Sequence, residues 1–158
     1  MHYAIRGLAP SLFNHLYGLS EAELADLQVE RHIVDAADAY PCRVTLQDAP
    51  PGSTVLLLNH LHQPAPGPYR ASHAIYVREY SHESGVWIDE LPTQFRRRLL
   101  SLRAYDARHH IVAAEVCEGE VAEGQIQRLL ADPTVEYLHA HYARRGCFAG
   151  RIDRHPNP

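Results

Sequence analysis

At 158 residues, 46% hydrophobic and 22% charged, the chain has the size and composition of one globular domain and lacks the polar bias of disorder. Its longest strongly apolar run, Val55 to Leu58, is far too short for a membrane span, and a net charge of −4 lacks the basic footprint of a general nucleic-acid binder. All 15 Lys+Arg residues are arginine, so this chain contains neither a Schiff-base lysine for pyridoxal phosphate nor a P-loop lysine.

In chain order, Pro10 opens and Gly18 closes a helical turn at 10–17. Ser20 and Glu23 then form a capping box, with Leu19 and Leu24 at the staple positions, predicting a helix over 20–28. Arg31–Val34, Arg43–Leu46 and Thr54–His60 read as strands, punctuated by Tyr40-Pro41 and Pro50-Pro51-Gly52. Three prolines in 62–69 predict a stiff extended loop with His62 at its root. Ala71–Arg78 resumes as a strand, a polar loop covers 79–90, and Pro92 opens a short helix.

Leu99–Asp106 and Ile111–Cys117 alternate as strands. Ala122, Ile126, Leu129 and Leu130 have helical spacing within 119–131, stopping before Asp132-Pro133. Val135–Ala143 and Cys147–Asp153 form a hairpin. The expectation is a single domain over 1–158 with an α+β fold: a mainly antiparallel sheet with a few short helices, ending in a helix followed by a β-hairpin.

Three cysteines, Cys42, Cys117 and Cys147, are odd in number and widely spaced, with no CxxC pair, so neither a disulfide framework nor a cysteine zinc motif is implied. With no secretory pattern at the N-terminus, a cytoplasmic location is expected. There are 12 histidines, which directs attention to imidazole chemistry.

Two His-x-His pairs stand out. If Arg144-Arg145-Gly146 is a three-residue loop, Ala143 pairs with Cys147. Leu138, Ala140, Tyr142, Phe148, Gly150 and Ile152 then share one face, while His139, His141, Cys147 and Arg151 share the other. His60 and His62 end the Val55 strand, and His73 shares a face with Ile75 and Val77.

Three readings are open. In a metal site, His62, His73, His139 and His141 supply ligands for a divalent ion such as zinc or iron. In metal-free catalysis, Cys147 is a nucleophile with His139 or His141 as base and Arg144 and Arg145 beside the thiol. In the structural reading, these residues line a ligand pocket or a hydrated sheet face, and His109 and His110 lie in a turn. Cys42 reads first as a small residue at a strand start. Asn59, Tyr69, Arg70 and Arg151 are candidate ligand-binding handles, Gln63 a further one.

Several strings occur together: Pro41-Cys42-Arg43, Val55 to Asn59, His62-Gln63-Pro64, Pro68 to Ile75, and His139-x-His141 leading to Gly146-Cys147. On these the chain resembles a bacterial family, domain of unknown function 1203. The resemblance supplies no activity, substrate or cofactor. It implies an aromatic residue at the position of His60, leaving His62, His73, His139 and His141 as the better ligand set.

The expected function is metal-assisted or imidazole acid-base chemistry on a small polar molecule, anionic in view of Arg70, Arg144 and Arg151. The alternative is a non-catalytic small-ligand-binding or interaction module with the same pocket. Neither nucleic acid nor membrane is an expected partner; a homo-oligomer is compatible with the sequence.

Overall fold

The computed structural model describes residues 1–156. Nine strands form two sheets: β1 (Tyr3–Arg6), β2 (Glu30–Ile33), β3 (Thr54–Gln63), β4 (Ala71–Arg78), β5 (Val86–Ile88), β6 (Leu99–Tyr105), β7 (Ile111–Glu118), β8 (Tyr137–Tyr142) and β9 (Cys147–Arg154). The larger sheet runs β5-β1-β9-β8-β6-β7 and the smaller β2-β3-β4, with every strand pairing antiparallel. Among the described residues three short α-helices accompany the sheets in an α+β fold: α1 (Glu21–Asp26), α2 (Thr93–Arg96) and α3 (Ala122–Leu130). Among the described residues no helix is long and apolar enough to cross a membrane.

Alternation explains the layers. On β6, Leu100, Leu102 and Ala104 face the core that includes Ile126, Leu129 and Leu130 of α3. Leu138, Ala140 and Tyr142 of β8 join that same core. Ordinarily the opposite face of such a sheet is wet. Here all six residues of β8 are buried, because His60 and His62 of β3 pack against β8 and β9 on that side. Polar side chains on β8 are therefore buried between two sheets.

The capping box forms as its sequence predicts. Ser20 Oγ accepts from the Glu23 amide at 3.2 Å, and the Glu23 carboxylate accepts from the Ser20 amide at 2.8 Å. Leu24 is fully buried beneath α1.

Elsewhere the backbone departs from expectation. Arg43–Leu46 is a turn rather than a strand. Its carbonyls serve two other segments, since the Leu8 amide donates to Arg43 O and the Gly85 amide to Val44 O, both at 2.8 Å. Strands β1 and β5 arise from segments whose own pattern did not announce them; β1 is held between β5 and β9. Strand β3 also continues through His62 and Gln63, with an irregularity between Leu61 and Gln63 that leaves both His62 and Gln63 buried.

The hairpin register differs in one consequential way. Tyr142, not Ala143, pairs with Cys147, and Gly146 closes the turn at φ +78. His141 pairs with Phe148 but Ala140 with Gly150, so Ala149 is an extra residue in β9. A bulge reverses the facing of the residues on one side of it. Phe148 thus joins the histidine face, and Cys147 joins Tyr142 on the other.

Candidate metal centre

Three imidazoles from two sheets meet between the layers. His62 of β3 and His139 and His141 of β8 each offer a ring nitrogen, and these lie within 4.8 Å of one another. All three residues are buried, at 8%, 3% and 0% exposure. Register explains the β8 pair: two residues apart on one strand, they point to the same side. The irregularity at the end of β3 brings His62 to meet them, with ring centroids 4.9 Å from His141 and 6.0 Å from His139.

Each ring carries one buried nitrogen without a hydrogen-bond partner: His62 Nδ1, His139 Nδ1 and His141 Nε2. A buried polar atom left unpaired costs roughly 1–3 kcal/mol, so three in one cluster is an unusual concentration of unmet bonding capacity. On His141 the tautomer is determined. Its Nδ1 lies 2.9 Å from the Gly146 carbonyl, which only accepts, so Nδ1 carries the proton and Nε2 presents its lone pair. A carbonyl behind the ring in this way is the usual support of a metal-binding imidazole.

Burial pushes the imidazoles far below their ordinary range, to about 4 for His62, about 2 for His139 and about 3 for His141. The charge of Arg103 adds to the effect on all three. Arg103 sits directly opposite His139 on β6. All three rings are therefore neutral near pH 7, the form that binds a metal.

Aromatic rings surround the cluster. Phe148 stacks on His62 at 5.4 Å and meets His139 and His141 edge-on at 5.0 and 5.9 Å. Tyr105 and Tyr137 lie 4.9 and 5.3 Å from His139, and the Arg151 guanidinium covers Tyr137 at 3.9 Å. On this side an open cavity of about 360 Å³ reaches His62 and His139, bordered by Gln63, His109, Tyr137 and Arg151. The Tyr137 hydroxyl accepts from Gln63 Nε2 at 2.9 Å and lies 2.8 Å from His109 Nδ1.

Of the sequence candidates, the fold brings together His62, His139 and His141, with Arg151 on the adjoining cavity wall. His73 pairs with His60 on β4 and lies outside the three-nitrogen cluster, its Nδ1 donating to the Ala74 carbonyl. Cys147 is separated from the histidines by the bulge and instead accepts from Arg43. Asn59 is exposed on the opposite face of β3 from His60, so it does not reach the cavity. Arg70 and Tyr69 are exposed at the proline-rich loop, where Arg70 donates to the Pro64 carbonyl and Tyr69 packs edge-on against Tyr105 and His110. His60 acts as an aromatic packer between Phe13 and Phe148. Cys42 is fully buried, its sulfur accepting from the Arg78 amide at 3.2 Å.

Sequence reasoning did not single out Arg103, Tyr105, Tyr137 or Phe148, and read His109 only as a turn residue. The alternation of Leu99–Tyr105 does place Ser101, Arg103 and Tyr105 on one face. Nothing local shows what that face meets.

A family model described as "Protein of unknown function (DUF1203)" matches residues 39–154, a stretch that contains all three histidines. No curated protein and no solved structure matches the chain.

Proposed function

The chain belongs to the DUF1203 family, and we propose that its His62, His139 and His141 hold one divalent transition metal, zinc or iron. The observation that supports this reading is the trio of partnerless ring nitrogens in one buried cluster. Neutral imidazoles suit zinc, iron, copper and nickel, and are poor ligands for magnesium or calcium. A tetrahedral ion with bonds near 2.05 Å holds its nitrogens about 3.4 Å apart, so uptake would draw the rings inward from their 4.8 Å limit by side-chain rotation.

The reading extends to catalysis because three protein ligands leave a coordination position for water or substrate. Bound there, the metal would supply Lewis acidity and lower the pKa of a bound water. With no carboxylate among the three ligands, the ion would retain its full positive charge, and Arg103 and Arg151 add to it. The substrate class this favours is a small polar anion reaching the centre through the cavity beside Gln63 and Tyr137. Tyr137 and His109, joined through the hydroxyl, would move a proton at the cavity rim.

Metal analysis of untagged protein tests the reading. After incubation with zinc or iron(II) and removal of excess ion, one equivalent per chain is expected, and none after His139→Ala with His141→Ala. No uptake by the unaltered protein, with melting unmoved by either ion, would leave a metal-free ligand-binding module in its place.

A further inference from the structure

A second cavity, of about 580 Å³, opens elsewhere between the sheets. We infer that it is a binding site for a small organic anion with a flat apolar body, the acidic group being held by Arg43 and met at the rim by Arg144 and Arg145.

Arg43 is the central observation. It is 2% exposed, and its guanidinium donates to the Phe148 carbonyl at 2.8 Å, the Pro41 carbonyl at 2.5 Å and Cys147 Sγ at 3.1 Å. No carboxylate is among those partners. Two other arginines that are partly withdrawn from solvent are matched by carboxylates: Arg31 pairs with Glu79 and Glu21, and Arg98 with Asp48. A buried cation with only dipoles around it is costly, and an arriving anion removes that cost.

The surroundings point the same way. The guanidinium groups of Arg43 and Arg98 both lie over the Tyr142 ring, at 5.0 and 5.1 Å from its centroid, and the buried Tyr142 hydroxyl has no hydrogen-bond partner. Arg144 and Arg145, exposed at the hairpin turn, line the same opening, whose lining among the described residues includes one acidic residue, the exposed Glu118. Tyr40 and Tyr76, edge-to-face at 5.1 Å, supply an aromatic wall. The volume lies within the range of small-molecule sites. A guanidinium offers a planar fork that matches either a carboxylate or a phosphate.

The test is calorimetric titration of chelator-treated protein with phenyl phosphate and with benzoate, against neutral benzamide. Chelation keeps the histidine centre metal-free, and the variants below assign the binding to the second cavity. At least one anion is expected to bind about tenfold or more tightly than benzamide, the size of one charge-assisted hydrogen bond. The two arms tell a phosphate site from a carboxylate site. Arg43→Met is expected to abolish binding. Should that variant fail to fold, Arg144→Ala with Arg145→Ala, changed only at exposed positions, decides instead, with about a threefold loss expected at low salt and less at high salt. Equal binding of benzamide, no binding of either anion, or unchanged affinity in a folded variant would overturn the inference.

Discussion

The ring of Phe148 lies parallel to the imidazole of His62, 5.4 Å between centroids and 4° between planes. One extra residue in β9 is responsible. Without the bulge at Ala149, Phe148 would point into the other core and the histidine cluster would lose its floor. Packing at this single position links the hairpin's register to the geometry of the site.

Truncating that ring should therefore do two things. Phe148→Ala is expected to cost about 3–5 kcal/mol of stability by urea unfolding, the usual range for a buried phenylalanine. Zinc affinity, measured by competition with a chelator, should fall about tenfold or more as His62 loses its support. Phe148→Leu should recover most of the stability and only part of the affinity.

Cys147 makes the opposite prediction. Its sulfur lies with Tyr142 and Arg43 rather than with His139 and His141. Cys147→Ser should leave zinc stoichiometry and affinity unchanged. A drop in stoichiometry would place the thiol among the ligands.

The turn that closes the hairpin can be tested separately. Gly146 has φ +78, and nothing lies within 4 Å of an added Cβ. Gly146→Ala should then cost about 1 kcal/mol, from backbone conformation rather than collision. Because the Gly146 carbonyl orients His141, metal affinity should fall with it. Thermal melts with and without zinc separate the two effects.

Acid stability should carry the signature of Glu79. Its buried carboxylate bonds Arg31, the Gly18 amide and Thr54, and Arg31 above all lowers its pKa to about 2. A carboxylate depressed in the folded state stabilises fully above its unfolded pKa of 4.5, and that contribution disappears as pH falls toward 2. Melting temperature should decline through this window in the unaltered protein. Glu79→Gln should be less stable at neutral pH and show a flatter decline.

Much of this architecture is visible in local patterns, because local patterns caused it. The Ser20 capping box, the glycine at 146 and the alternation of Leu99–Tyr105 each act within a few residues. The pairing of His139 with His141 follows from strand period alone. What could not be read depends on distant partners. Ala149 has no feature that announces a bulge, and the misplacement of Cys147 and Phe148 followed from that. Arg43–Leu46 reads as a strand until Leu8 and Gly85 claim its carbonyls. Arg103 and Tyr137 became part of the site only because β6, β8 and β3 converge, a contact between segments far apart in the chain.

X-ray absorption at the metal edge of zinc-loaded, untagged protein examines the ligand set itself. Three imidazole nitrogens at about 2.0–2.1 Å, with an oxygen or nitrogen donor in the remaining position, are expected. One imidazole contribution should disappear in His62→Ala. A sulfur at about 2.3 Å, or a first shell without histidine scattering, would contradict a centre built from His62, His139 and His141.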